Sequence, residues 1–211
     1  MAVQSDDVLI FDLFGVIAKD QNQEGREALL AAGAVPEEEF WAAYWNQRPP
    51  YDRGEVTGTQ YWTAVSGQLN AGFDTDRISQ LVEHDIASWS LVDDHMIALL
   101  EDLSRTRRLA LLSNIPQELG EHFLRMHRWL DLFEVRGLSY QIGYAKPERK
   151  TFEWCIRELG IEPCRALFID DRAENVRSAQ EAGLRGHLFT SREALSQLLE
   201  ANGTSWRRSL L

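Results

Sequence analysis

The chain has 211 residues, 44% of them hydrophobic and 26% charged, the composition of a folded globular protein with one large domain, or one domain carrying an insertion. Its formal charge of −11 argues against nucleic acid and anionic membranes as partners, and no apolar run approaches the roughly 20 residues that cross a bilayer. Cys155 and Cys164 form no CxxC pair, which argues against a disulfide framework or a cysteine zinc site. The first residues, Met1 to Asp7, lack the basic and apolar regions of a secretory signal, so the expected compartment is the cytoplasm.

Taken in order, Val8-Leu9-Ile10-Phe11 reads as a buried parallel strand, with Asp12 at its carboxyl end and a glycine turn beyond. Residues 24–32 read as a short helix stopped by Gly33. Pro36 opens a second helix, with Glu37, Glu38 and Glu39 in its first turn and Phe40, Trp41, Tyr44 and Trp45 on one face. Pro49-Pro50-Tyr51-Asp52-Arg53-Gly54 predicts a loop. Further helices are expected from near Gly58 and after Asp74, so residues 18–88 form a helical block without a strand. From about residue 93 strands and helices alternate. Leu109–Leu112 is a strand ending at Ser113-Asn114, Phe133-Glu134-Val135 a weaker one, Ala166–Ile169 one ending at Asp170-Asp171, and Gly186–Phe189 the last. Phe152, Cys155, Ile156 and Leu159 mark an amphipathic helix, and Thr190 with Glu193 a capping box for a final one. Residues after Asn202 read as a frayed tail.

This alternation predicts an α/β fold, a doubly wound parallel sheet, because parallel strands need crossover connections. Residues 1–17 and 89–211 would form that core, and residues 18–88 a small α-helical insertion after the first strand. Three predicted strand ends carry polar residues: Asp12, the Ser113-Asn114 pair, and Asp170-Asp171. Lys146 adds a fourth element. Strand carboxyl ends open on one crevice, so these residues can meet there. Carboxylates gathered without a cation repel one another, and all-oxygen ligation points to Mg²⁺ rather than zinc. A hydroxyl, an amide and an ammonium beside them suit a tetrahedral anion, a combination fitted to phosphoryl transfer.

Phe11-Asp12-Leu13-Phe14-Gly15-Val16, Leu112-Ser113-Asn114, Lys146-Pro147 and Phe168-Ile169-Asp170-Asp171 with Asn175 resemble the four ordered motifs of the haloacid dehalogenase (HAD) superfamily. The likeness covers nearly the whole chain and is nearest the branch containing glucose-1-phosphate phosphatases and the phosphatase domain of soluble epoxide hydrolases. It implies a Rossmann-like core with a helical cap, and a Mg²⁺-dependent hydrolase acting on a small phosphorylated molecule. In that resemblance Asp12 is the nucleophile. The metal is held by the Asp12 carboxylate, the Phe14 carbonyl and Asp171, with Asp170 beside it. Ser113, Asn114 and Lys146 bind the phosphoryl oxygens, and Lys146 keeps Asp12 ionised.

One position departs from the pattern. Phosphatases of this superfamily usually carry a second Asp two residues after the nucleophile, where this chain has Phe14. Loss of such an acid–base group typically costs about 10²–10⁴-fold. Three readings follow: a phosphatase whose leaving group is good or whose acid comes from the cap, a metal-free 2-haloacid dehalogenase, and a catalytically weak binding or regulatory protein. The paired Asp170-Asp171 argues against the second. Arg48 and Arg53 are candidate remote anion contacts. The five histidines show no ligand spacing, and the aromatic stripe of the insertion reads as the core of a small bundle. A monomer or a homodimer is expected.

Overall fold

The computed structural model describes residues 5–202. The expected tail after Asn202 and the residues Met1–Gln4 lie outside them. In chain order the elements are β1 (Ser5–Phe11), α1 (Gln23–Gly33), α2 (Glu37–Asp52), α3 (Gly58–Leu69), α4 (Thr75–Ser88) and α5 (Asp94–Ser104). There follow β2 (Arg107–Ser113), α6 (Gln117–Met126), β3 (Val135–Leu138), the single turn α7 (Ser139–Ile142), α8 (Arg149–Leu159), β4 (Ala166–Asp170), α9 (Ala173–Glu181), β5 (Arg185–Leu188) and α10 (Arg192–Asn202). Short 3₁₀ turns cover Arg128–Leu132 and Pro163–Arg165.

The five strands form one parallel sheet in the order β3-β2-β1-β4-β5. Side chains alternate across a strand, and each of its faces meets a different apolar cluster. Leu9, Phe11, Leu109, Leu111, Leu167 and Ile169 pack with residues of α5, α6 and α10. Val8, Ile10, Ala110, Leu112, Ala166 and Phe168 pack with Phe152, Cys155 and Leu159 of α8 and Ala179 of α9. Burial on both faces explains the unbroken apolar runs in the central strands, at residues 8–11, 109–112 and 166–169. The sequence pattern and the doubly wound core agree.

Helices α1–α4 enclose a third cluster, built from Leu29, Phe40, Trp41, Tyr44, Tyr51, Tyr61, Trp62, Val65 and Leu81. The aromatic stripe is thus core, apart from Trp45, which is 43% exposed. Side-chain caps fix several helix starts. Asn22 and Asp74 accept from the backbone at Gly25 and Arg77, and Thr57 with Gln60 closes a capping box.

Four local expectations are corrected. Gly33 lies inside α1, and Ala34 takes the left-handed position (φ 51°) that ends it. The expected loop at Pro49–Gly54 is the last turn of α2 through Asp52. Tyr51 is driven into the core and stacks on Tyr61 at 4.5 Å, while Arg48 pairs with Asp52 one turn on at 2.8 Å, so packing overrides two prolines. The weak strand begins at Val135 rather than Phe133, whose ring turns into the core against Phe11 and Trp129. Gly137 obscured its extent. A side chain there would have to displace its neighbours, because a Cβ would lie 2.6 Å from Leu112 and 2.8 Å from Trp154. Finally, Ser191 rather than Thr190 caps α10, its hydroxyl accepting from the Ala194 N–H at 3.1 Å.

Candidate active site

The chain's connections reverse direction across the sheet between β1 and β4, the place where open α/β sheets bind ligands. Asp12 leaves β1 here, with its N–H on the Ile169 carbonyl at 2.9 Å. The turn after it is tight: the Ala18 N–H reaches the Leu13 carbonyl at 2.7 Å and the Gly15 N–H the Ala18 carbonyl at 2.8 Å. Gly15 adopts φ +78°, and a Cβ there would stand 2.5 Å from Asp171 Oδ2, so only glycine lets the turn lie on that carboxylate.

Asp12, Asp170 and Asp171 each offer an oxygen within 4.8 Å of the other two. Lys146 Nζ sits between the buried pair, 2.7 Å from Asp12 Oδ1 and 2.7 Å from Asp170 Oδ2. Asp12 Oδ1 also accepts from the Leu13 N–H at 2.6 Å, which leaves Oδ2 outside both contacts. Asp170 is further held by the Arg172 N–H at 2.8 Å and by Asn175 Nδ2 at 3.0 and 3.1 Å. Asn114 exchanges two 2.7 Å hydrogen bonds with the Lys146 backbone, so its side chain positions the lysine. Two polar atoms, Ser113 Oγ and Asp171 Oδ1, are buried without a hydrogen-bond partner among the described residues.

The electrostatics correct one expectation. Burial pushes the Asp12 carboxyl up to about 7 despite the opposing Lys146, with Asp170 adding to the rise. Lysine alone does not keep Asp12 fully ionised. Burial also pushes on Asp170, yet Lys146, the Arg172 N–H and Asn175 hold it below the ordinary carboxylate value. Asp171 is raised, first by burial and then by Asp170. The pocket is short of positive charge.

A cavity of about 90 Å³ opens here, lined by Asp12, Phe14, Asn114, Lys146 and Asp171 from the core and by Trp45, Arg48 and Asp52 from α2. Phe14 packs edge-on against Trp89 at 5.0 Å and Phe123 at 5.7 Å, an aromatic wall where an acid was missing. Arg48 reaches this cavity, while Arg53 instead pairs with Glu55 at 2.6 Å. A larger groove of about 680 Å³ beside α8 holds none of the predicted site residues. Helices α6 and α9 begin without a side-chain cap, so neither Ser113-Asn114 nor Asp170-Asp171 serves as a helix N-cap. Asp20, Asp52, Trp89 and Arg172 also line the cavity and were not singled out by the sequence. Asn175 was named with the Asp170-Asp171 motif on the strength of the family resemblance; Asp52 carried no signal, because its turn read as loop.

A model of the haloacid dehalogenase-like hydrolases matches residues 7–183. The chain belongs to this family. This hydrolase is 29% identical to a sesquiterpene phosphatase of Aspergillus oryzae over 92% of its own length and 95% of that protein's. It also shares its fold with a HAD family enzyme of Bacteroides thetaiotaomicron, at 22% identity and a TM-score of 0.78, over 94% and 99% of the two chains. A structure of that enzyme in complex with magnesium and inorganic phosphate gives a TM-score of 0.73, at 22% identity over 93% and 99%. Among the described residues, no helix of this hydrolase is long and apolar enough to cross a membrane.

Proposed function

We propose that this hydrolase is a Mg²⁺-dependent phosphatase of a small organic phosphate, working through an aspartyl-phosphate on Asp12. One observation carries the reading: three carboxylates from two adjacent strand ends converge, a buried lysine bridges two of them, and the third keeps an unpaired buried oxygen. Mg²⁺ binds oxygen at about 2.0–2.1 Å, so two ligands stand at most about 4.2 Å apart. Oxygens already within 4.8 Å need little side-chain adjustment to share such an ion. The residues fit the metal. Asp12, Asp171 and the Phe14 carbonyl would hold it, with Asp170 alongside, and it would supply the positive charge the pocket lacks. The magnesium and phosphate of the Bacteroides relative, and the phosphatase name of the Aspergillus one, support the same assignment.

The chain's own groups then have distinct tasks. Asp12 Oδ2 attacks phosphorus in line with the departing oxygen. Lys146, Ser113 and the backbone at Asn114 hold the phosphoryl oxygens as charge builds on them. Residues 18–88 act as a cap on the core of residues 1–17 and 89–211, with α2 closing the cavity through Trp45, Arg48 and Asp52. The leaving group thus meets aromatic surface and charged groups together, which suits a phosphorylated metabolite such as a sugar phosphate or an apolar alcohol phosphate.

The test is phosphate release from p-nitrophenyl phosphate and a metabolite panel, with Mg²⁺ and with chelator. Asp12→Asn should lower turnover more than about 10³-fold, the scale expected when a nucleophile is removed. Halide release from 2-chloropropionate without metal would select the dehalogenase reading instead. Binding of phosphate esters with no turnover of either kind would leave a regulatory protein.

A further inference from the structure

If this phosphatase reading is right, one task still lacks a residue. The departing oxygen needs a proton, and Phe14 stands where a second acid would serve. Besides the aspartates of the metal cluster, two acids line the cavity, Asp20 and Asp52. Asp20 is exposed on the loop after β1. Asp52 comes from the helical insertion, at the end of α2, and its side chain is only 18% exposed.

Asp52 is held as a working group would be. Its backbone carbonyl accepts from the Ser139 hydroxyl at the start of α7, which ties this cap turn to the core. Its Oδ1 accepts from Arg48 Nε at 2.8 Å, leaving Oδ2 outside that contact. Arg48 in turn is fixed by Asp85 Oδ2 at 3.0 Å and the Tyr44 hydroxyl at 2.6 Å, between the rings of Tyr51 and Trp89. The charged groups acting on Asp52 are Arg48 on its own helix, the adjacent Arg53, Asp85 on α4 and Arg172 after β4. Burial raises its proton affinity first; Arg48 opposes this, Asp85 adds to it and Arg172 opposes it. This carboxyl has a free oxygen and lines the same cavity as Asp12.

We propose that the Asp52 carboxyl protonates the leaving-group oxygen, the role that Phe14 cannot fill. In the first step Asp12 forms a bond to phosphorus and the ester P–O bond breaks. Its electron pair goes to the leaving oxygen, which takes the proton from Asp52 and departs as an alcohol. In the second step water attacks the same phosphorus, gives a proton back to Asp52, and the bond to Asp12 breaks. The chain's acid is thus carried by the cap, and protonation is coupled to the cap turn lying against Ser139.

The experiment compares the Mg²⁺-loaded wild type with Asp52→Asn on p-nitrophenyl, phenyl and benzyl phosphate. Asparagine keeps an acceptor for Arg48, and equal melting temperatures confirm that the network stands. A good leaving group needs no proton and a poor one does. Asp52→Asn should therefore lower kcat/KM for benzyl phosphate about 10²-fold or more, and for p-nitrophenyl phosphate less than about 3-fold. Asp52→Glu should recover part of the benzyl phosphate activity. An equal loss across the three esters, no loss on any, or the graded loss appearing in Asp20→Asn instead overturns the proposal while leaving the phosphatase reading intact. Failure of the wild type on every ester would instead overturn that reading, and this proposal with it.

Discussion

Remove Lys146 and the switch point of the sheet buries Asp12 and Asp170 with no cation between them. Breaking a buried charge network by deleting one partner typically costs about 3–5 kcal/mol. Lys146→Met should lose that much stability at pH 8 in urea unfolding with chelator. At pH 5 the loss should shrink, because the carboxyls then take up protons and the uncompensated charge disappears; equal losses at both values would count against this account. The sign for Asp12 in the intact protein follows from its shift. Its folded value of about 7 lies above the unfolded 3.8, so the folded state holds more protons between them. Metal-free stability from this group therefore falls as pH rises from about 4 to 7 and levels off above. Asp170, held low, contributes stability that is lost only as pH drops through its lowered value. Excess Mg²⁺ at pH 8 should restore stability, by about 2.7 kcal/mol at a hundredfold excess over Kd. Melting temperatures from pH 5 to 8, with chelator and with Mg²⁺, check this. Asp12→Asn should flatten the chelator curve and abolish the metal increment.

Elements were readable where one local signal spoke for them. β1 and β4 are apolar runs because the core covers both faces, and α8 shows its buried stripe in Phe152, Cys155 and Leu159. Two of the misreadings share a cause: the deciding contact lay far away in sequence. Two prolines announced a loop at residue 49, yet the partner of Tyr51 is Tyr61 and that of Arg48 is Asp85, both on later helices. Gly137 interrupted a strand pattern because Leu112 and Trp154 occupy the space its side chain would need. Gly137→Ala should consequently overpack β3 and cost about 1–3 kcal/mol in a denaturant titration. A neutral result would mean that Trp154 moves aside freely.

For the molecule as a whole, the relation of helical insertion to sheet decides what the pocket can do. The insertion is tied to the core by the Ser139 hydroxyl on the Asp52 carbonyl, by Glu118 on the Gly58 N–H at 2.6 Å and by the Trp89 indole on the Tyr44 hydroxyl at 3.0 Å. Ser139 also accepts from the Ile115 N–H at 2.8 Å, so one hydroxyl serves both parts. Ser139→Ala should cost about 1–3 kcal/mol, the penalty for stranding buried polar groups. Amide exchange should rise at the end of α2 while remaining unchanged in β1 and β4. Faster exchange throughout the sheet would show that the residue serves the core alone.

Taken alone, the order of residues determined the doubly wound core and picked out the polar residues at its strand ends. Both follow from short-range rules, the apolar run ended by a polar residue and the alternation of strand with helix. The tertiary structure alone decided that Asn114 serves the Lys146 backbone, that burial outweighs Lys146 at Asp12, and that Asp52 lines the same cavity as Asp12. Those outcomes depend on how much water each group loses and which distant helix stands opposite, and neither quantity is a property of neighbouring residues in the chain.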